Sequence, residues 1–501
     1  MSSIRSRLAL GSLWITLGRA TGNLLSFAGT LLLARMLVPA DFGLIAIATA
    51  ILAMLNAVTN IPLGAALIRH ENPTSSHLDT AWTLSVIRGV LLGGAMVGLG
   101  WLTASLYNDQ RLLLVMAALA LAPFLDGLRN PRSILLTRDL VFRQQVLLQI
   151  LDKLVLVAVS VTVAVMYQSY WALVAGPVAG KLVATGASYF VLPYRPRFTL
   201  MWWREFYNFS TWVTLSQIIN EINWRFDQLL VGRFLGQTAL GYYRVGSDLA
   251  QMPTREITAP LTGTLFPAFA NLRHDAARLS LAYSRAQALT AAVALPAGVG
   301  VALIAEPLVL LIMTEKWAPA IPVIQALASI FAIQTLGSLA TPLAMAMGET
   351  KLLFKRDLQM FLIRVPIVIA GMVLYGLPGV IWGRVISGLI SIPFNLGIIR
   401  QLIGTPLARQ LGQAMRSLIS VAIMAGGVAV VNRNWASTGA PDHFLLNIGA
   451  AILCGGSLYV ASHWILWIIA GRPDGPEREL IKVAASLLPR RLVMPESAPK
   501  E

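Results

Sequence analysis

The chain has 501 residues, 56% of them hydrophobic and only 12% charged, with a mean hydropathy of +0.69. Soluble domains run near 45–50% apolar and about 25% charged, so a soluble globular fold is excluded and a membrane protein is expected. The formal charge of +16 is no nucleic-acid signature, because the basic residues are scattered between apolar blocks rather than gathered on one domain or stripe.

Runs of about 20 apolar residues can cross the hydrocarbon core as helices, and they predict an all-α integral membrane protein with about fourteen spans. In chain order these are 9–35, 42–68, 80–107, 111–135, 146–167, 170–193, 209–235, 239–266, 286–313, 319–347, 357–375, 378–402, 416–432 and 443–470. The thirteenth, SLISVAIMAGGVAVV, is short and precedes the polar loop NRNWASTGAPDH. Dropping it would put the C-terminus outside. Arginine and lysine concentrate in cytoplasmic loops, and they decide the orientation. With fourteen spans and the N-terminus inside, only Arg35, Arg111, Arg233, Lys316 and Arg433 fall in outer loops, and the inner segments carry most of the rest. Both termini are therefore expected in the cytoplasm, with the basic inner face attracted to anionic lipid.

The first apolar run is too long for a cleaved signal and is expected to stay as span 1. YRPRFTLMWWREFYNFS, with Trp202, Trp203 and Phe206, reads as an interfacial linker on the cytoplasmic face. The tail contains one amphipathic stretch, ELIKVAASLL. The single cysteine, Cys454, excludes an intramolecular disulfide and reads as apolar filler.

An internal repeat organises the chain. SLWITL at 12–17 matches STWVTL at 210–215, which sets Trp14 and Trp212 198 positions apart. At that offset Leu31, Leu32, Arg35, Leu37 and Gly43 fall on Leu229, Leu230, Arg233, Leu235 and Gly241, and Pro62-Leu63 falls on Pro260-Leu261. The expected organisation is a six-helix lobe at 1–193, the linker at 194–208, a second six-helix lobe at 209–402, two extra helices at 403–470 and a cytoplasmic tail at 471–501. An even number of spans per lobe inserts both the same way up, so the pseudo-two-fold axis runs along the membrane normal, with a substrate site expected between the repeats.

Charges inside the spans are costly and usually face a bundle interior or a water-filled cavity. The spans hold Arg19, Arg88, Lys153, Lys181, Arg225, Arg244, Arg255, Arg364 and Arg384 against Asp126, Asp152, Glu221, Asp227, Asp248, Glu256 and Glu306. The basic excess suits an anionic passenger. In IINEINWRFDQLLVGRF (218–234), a helical wheel puts Gln217, Asn220, Glu221, Asn223, Trp224, Arg225, Asp227 and Gln228 on one arc. The repeat partner places Arg19, Gly22, Asn23, Ser26, Gly29 and Thr30 on the same arc, as if both first helices lined one cavity.

The next span stacks Arg244, Asp248, Gln251 and Arg255 on one face. At a rise of ~1.5 Å per residue, Arg225 and Asp248 lie about 15 and 14 Å from their shared outer loop, and Glu221 and Arg255 about 21 and 24 Å. The matching depths predict the pairs Arg225–Asp248 and Glu221–Arg255. Such pairs either hold the bundle shut or rearrange with substrate or a coupling cation.

Arg88 and Lys181 either snorkel or line the N-terminal half of the cavity. Asp152 and Lys153 are adjacent, so only one can face it. Asp126 is expected to pair locally with Arg129, and Glu306 reads as a wet residue at the outer end of its span. The histidines, His70, His77, His274, His443 and His463, have no metal spacing. No Walker A, GxSxG or HExxH motif occurs, and GQTALG and GRATG are isolated glycine pairs. The expectation is therefore a non-enzyme without cofactor, whose transport is passive or driven by a proton or sodium gradient. Asp227 and Asp248 are the candidate cation sites, since a carboxylate in a low-dielectric cavity titrates nearer neutrality.

The stretch GSLWITLGRATGNLLSFAGTLLLARMLVPADFGLIAIATAIL resembles the polysaccharide-transporter branch of the multidrug/oligosaccharidyl-lipid/polysaccharide exporter superfamily, the Wzx-like flippases. Arg35 and Leu37 closing span 1, the polar Asp41, then Phe42 and Gly43 opening span 2 carry the likeness, which extends over about residues 1 to 430. The resemblance implies movement of undecaprenyl-pyrophosphate-linked oligosaccharide repeat units to the outer leaflet of the bacterial inner membrane by alternating access of two lobes. It implies membrane lipids, a polysaccharide polymerase and glycosyltransferases as partners, and a lipid-tail groove at spans 13 and 14. It transfers no site residue. A cation-coupled drug or metabolite antiporter of the same superfamily is the alternative, and a membrane scaffold for glycosyltransferases the second. The two extra spans and the basic interior favour the lipid-linked substrate.

Overall fold

In lipid every backbone amide and carbonyl must find a partner within the protein, and a helix achieves this inside one segment. The computed structural model describes residues 2–60, 63–64, 67, 73–138, 141–204, 211–436, 444–473 and 475–478, and every regular element among them is helical. The loop at 437–443, Pro62 of the repeat, Phe206 of the linker and ELIKVAASLL lie outside the described residues.

In chain order the α-helices are α1 (Ser2–Met36), α2 (Pro39–Val58), α3 (Ser75–Tyr107), α4 (Arg111–Leu119), α5 (Leu121–Gly127), α6 (Arg132–Arg138), α7 (Phe142–Tyr167), α8 (Ala172–Val191) and α9 (Thr211–Phe234). They continue as α10 (Gly236–Leu272), α11 (Ala276–Leu303), α12 (Ala305–Met313), α13 (Ile321–Gln334), α14 (Ala340–Met347), α15 (Thr350–Ile403), α16 (Leu407–Ala436) and α17 (Phe444–Ile469).

Among the described residues each expected span is therefore mainly helical, including the short thirteenth, which forms part of the 30-residue α16. Span 4 is broken into α4, α5 and α6, span 9 into α11 and α12, and span 10 begins with a 3-10 turn at Glu315–Ala320. Spans 11 and 12 both lie within α15. Their separation is a turn at Gly376, whose φ of 63° and ψ of −135° leave the helical region. Gly371 and Gly379 flank that turn with their backbones in contact, and a Cβ on either would overlap the other's carbonyl.

The punctuation is local chemistry. Pro39 occupies the first turn of α2, where its missing amide hydrogen costs nothing, and the Asp41 carboxylate accepts the Val38 amide at 3.3 Å. Asn108 and Gln168 end α3 and α7 in the left-handed conformation, and Gly348 and Gly404 do the same for α14 and α15.

Two compact units are formed. The first contains Met1–Gly246, Val309–Val323 and Asp357–Gly383. In it α7 packs along both α8 and α1 through small residues, which lets van der Waals contact do the work that water does for soluble helices. Gly176 admits Ser160, and Gly180 admits Asp152. The second contains Ser247–Leu308, Ile324–Arg356 and Arg384–Glu501. One of its cores joins Phe269, Leu279, Tyr283, Leu339, Leu343, Leu396 and Ile399, and another joins Ala291, Leu295, Leu336, Val421, Met424 and Val428.

The linker is more ordered than an interfacial segment needs to be. The Tyr194 hydroxyl donates to Asp79 Oδ1 at 2.7 Å, the Arg197 amide to the same oxygen at 3.0 Å, and the Thr199 amide to Thr83 Oγ1 at 3.1 Å. Trp202 stacks on His77 with ring centroids 4.5 Å apart and donates to Ser76 Oγ. Residues 194–202 are thus strapped to the first turns of α3, and Trp203 is left exposed. Burial, helped by Asp79, pushes the Tyr194 hydroxyl well above its ordinary range, so it stays a donor.

Candidate functional site

The first helix of the second half, α9, carries the polar arc, and within the first unit that arc divides in two. Asn223, Asp227 and Gln228 are buried and committed to neighbouring helices. The Tyr243 hydroxyl of α10 donates to Asp227 Oδ2, and Arg244 Nη1 donates to Gln228 Oε1 at 3.1 Å. Arg364 of α15 donates to the Asn223 carbonyl at 3.2 Å, with its guanidinium 5.9 Å from the Trp224 ring centroid. Ser216 donates to Asp357 at the start of the same stretch. Asp227, expected as a titrating cation site, is only 1% exposed and serves the α9–α10 seam.

Glu221 and Arg225 form the other part. Arg225 Nε donates to Glu221 Oε1 at 2.9 Å, one turn apart on α9, and both side chains are partly exposed, 26% for Arg225 and 30% for Glu221. Asp248 and Arg255, the partners expected from depth, belong to the second unit. Arg255 in turn lies 3.4 Å from Glu256, its chain neighbour. Residues one turn apart share a helix face, so the Glu221–Arg225 pair forms within α9 alone. Asp248 and Arg255 are exposed, and Arg244 is half-buried.

In the first half, Arg19 is exposed. Two of the small residues expected to share its wettable face lie against α7, Gly22 beside Lys153 and Gly29 on Val157. Arg88 reaches across from α3 to Asn56 Oδ1 at 3.0 Å, the Asn56 carbonyl at 3.3 Å and Thr59 Oγ1 at 3.3 Å. It is held inside the bundle rather than snorkelling. Lys181 of α8 lies 3.1 Å from Asp126 and 3.6 Å from Asp152. Asp126 thus pairs with a residue three helices on rather than with Arg129, and of the adjacent Asp152 and Lys153 the acid is the one that meets Lys181.

Two polar clusters therefore stand in the first unit: Arg88 with Asn56 and Thr59 beside Asp126–Lys181–Asp152, and the Glu221–Arg225 pair on α9. The first contains partners that charge counting missed, because Asn56 and Thr59 are neutral. A polar residue in an apolar run is nonetheless a visible signal. In the second unit Arg384 is buried with its guanidinium 5.9 Å from the Phe331 ring centroid. Among the described residues no group of three or more His, Cys, Asp or Glu is placed to hold a metal.

Comparison with known proteins agrees with this architecture. Residues 32–322 match the family model described as polysaccharide biosynthesis protein. The chain is 26% identical over 422 residues to the succinoglycan biosynthesis transport protein ExoT of Rhizobium meliloti, covering 82% of this chain and 84% of that one. It is 23% identical over 397 residues to the lipopolysaccharide biosynthesis protein WzxC of Escherichia coli (78% and 80% covered), and 22% identical over 463 residues to the teichuronic acid biosynthesis protein TuaB of Bacillus subtilis (91% and 95%).

In fold it is similar to the lipid II flippase MurJ in an inward closed conformation, with a TM-score of 0.69 at 16% identity over 93% of this chain and all of that one. It is also similar to an inward-facing multidrug resistance MATE family transporter of the MOP superfamily, with a TM-score of 0.59 at 12% identity over 77% and 96%. With the family model covering more than half its length, this multi-pass membrane chain belongs to the polysaccharide biosynthesis protein family.

Proposed function

We propose that the chain is a flippase that carries lipid-linked oligosaccharide repeat units across the membrane for exopolysaccharide, capsule or lipopolysaccharide synthesis. The observation that carries this reading is the family match over 32–322. Relatives named for succinoglycan transport and for lipopolysaccharide and teichuronic acid biosynthesis support it, as does the fold of a protein named as a lipid II flippase. A polyprenyl pyrophosphate anchor supplies the anionic passenger that the intramembrane basic excess suits. Arginine is well suited to such a group, because its planar fork binds phosphate oxygens bidentately and stays charged away from water.

In this reading the lobes are 1–193 and 209–402, joined by the linker at 194–208 and followed by the helices at 403–470. They alternate access around the faces of α1 and α9. The membrane is the bacterial inner membrane, with both termini cytoplasmic, and the anchor is undecaprenyl pyrophosphate. A polymerase and glycosyltransferases act before and after the flip. No resident cofactor takes part, and a proton or sodium gradient is the driving force available to a chain without a nucleotide motif.

Likeness to a MATE transporter keeps a cation-coupled antiporter as the second reading. It favours that reading less, because the likeness leaves about a quarter of this chain uncovered.

The deciding experiment is reconstitution in proteoliposomes with a fluorescent undecaprenyl-pyrophosphate oligosaccharide, following its exposure to an impermeant quencher or glycosidase on the far side. Protein-dependent flipping is the expected result. Absence of flipping, together with gradient-driven drug efflux from the same vesicles, would move the assignment to the antiporter.

A further inference from the structure

The chain turns back on itself after its last membrane helix. Gly471 and Arg472, just past the end of α17, both take left-handed backbone angles (φ 79° and 56°), and the Trp467 indole nitrogen donates to the Pro473 carbonyl at 3.0 Å. The reversal carries Glu477 into the seam between α16 and α17, where it is 3% exposed. Its Oε1 accepts from Arg416 Nη1 of α16 at 2.6 Å and lies 3.6 Å from His463 Nδ1 of α17. The approach is tight: a Cβ on Gly475 would collide with both Glu477 Oε2 and Arg416 Nη2.

The seam itself is built by membrane helices. Tyr459 of α17 donates to the Ala292 carbonyl of α11 at 2.7 Å, is hydrogen-bonded to Ser417 of α16 and stands edge-on to His463 at 5.4 Å. The carboxylate is the part brought in from outside. A buried cation is costly unless an anion meets it, which accounts for an anion here but not for a carboxylate. Among the described residues Glu477 Oε2, both ring nitrogens of His463 and Ser420 Oγ, one turn beyond Arg416 on α16, are buried without a hydrogen bond. Buried polar atoms are ordinarily paired, so the donor set exceeds what one carboxylate uses. A guanidinium fork, an imidazole and a hydroxyl together suit a phosphate group, which offers more acceptor oxygens.

We propose that the seam between α16 and α17 is a phosphate site that Glu477 fills in cis, and that the phosphate of an anionic phospholipid competes for it and releases the C-terminal segment. The flanks of the site select a lipid over a free anion. Met415, Ile419, Ile465 and Ile469 leave apolar side chains exposed on the same two helices, as contact with acyl chains requires. Arg409, Arg472 and Arg478 are exposed around them and complement an anionic headgroup layer. The site goes beyond the transport reading and does not depend on it.

The test uses the purified full-length chain in a neutral detergent, with Cys454→Ser and Pro476→Cys, since Pro476 is buried beside Glu477. Phosphatidylglycerol is expected to raise maleimide labelling of Pro476→Cys about fivefold, and phosphatidylcholine and inorganic phosphate to leave it unchanged. Native mass spectrometry of the chain with Pro476 intact supplies the binding arm. Glu477→Gln, which removes the competing charge, is expected to hold phosphatidylglycerol about tenfold more tightly, the factor that one charge-assisted hydrogen bond carries. A clip with a structural role alone gives no such gain.

In case Arg416→Gln by itself fails to fold, Arg416→Gln with Glu477→Gln removes both charges together, and the double variant is expected to fold and to lose the bound lipid. Equal lipid retention in the parent and Glu477→Gln, or labelling that phosphatidylglycerol does not raise, overturns the proposal. Labelling raised equally by inorganic phosphate overturns the choice of a lipid.

Discussion

The Trp317 indole nitrogen donates to the Ala34 carbonyl at 2.7 Å, with both side chains fully buried and Phe42 edge-on to the indole at 5.2 Å. Trp317→Phe deletes the donor, strands a buried carbonyl and opens a gap, a loss of about 1–3 kcal/mol for the unmet acceptor alone. Tyr107→Phe, which removes the donor to Leu229, costs about 1 kcal/mol. Thermal unfolding in detergent should therefore rank parent above Tyr107→Phe above Trp317→Phe. Identical midpoints for parent and Trp317→Phe would sink the argument.

Arg225 is tethered by Nε to Glu221, which leaves its two terminal amino groups available to a phosphate. Arg225→Ala is expected to lower flipping by about tenfold or more, the loss of a charge-assisted bond of roughly 1.5–3 kcal/mol. Arg225→Lys keeps the charge but not the fork, and should fall between. Initial rates in proteoliposomes measure this, and equal rates for all three proteins would confine the pair to a structural role.

Lys181 stands between Asp126 and Asp152 in a bundle of membrane helices. Removing Lys181 strands two carboxylates, and an unmatched charge costs about 2.5–3.5 kcal/mol at mid-membrane on insertion scales, less where water reaches it. Lys181→Met alone should depress the folded yield, Asp126→Asn should cost little because Lys181 keeps Asp152, and the double variant should recover part of the Lys181→Met loss. Fluorescence-detected size exclusion reads this directly; additive losses would show that the two do not interact.

Asp109 supplies a pH dependence with a definite sign. Burial pushes its carboxyl up, but hydrogen bonds from Arg111 and Gln237 outweigh burial and hold it below the ordinary 3.8. A depressed carboxylate stabilises the fold fully above its unfolded value, and the contribution is lost as the pH falls through the folded value. The melting point should be insensitive to this group from pH 8 to pH 5 and decline below about pH 4. Asp109→Asn should melt lower than the parent at neutral pH, and the gap should close in acid. A gap that is unchanged at pH 3 contradicts the assignment.

The spans were legible because lipid imposes one length and one backbone solution on every crossing. Even the short thirteenth is helical, since α16 simply extends beyond its apolar centre. The polar arc of α9 was also legible. Its destination was not: periodicity says which residues share a face, but not whether Asp227 meets a cavity or the Tyr243 hydroxyl. Gly29 misled for the same reason, because a residue without a side chain suits a wet wall and a tight helix seam equally. Asp79, which organises the linker, stands just ahead of the apolar run 80–107, and no pattern in the sequence marks it.

That linker limits how far the carrier can move. With Tyr194, Arg197, Thr199 and Trp202 tied to α3, nine residue steps separate Trp202 from the start of α9 at Thr211. At ~3.3–3.6 Å per residue, those nine steps reach about 30 Å at full stretch. The strap is thus a leash of fixed length: the entry of α9 travels within that radius of the entry of α3, and lengthening the leash with inserted glycine and serine residues would lengthen the permitted stroke without touching either polar cluster.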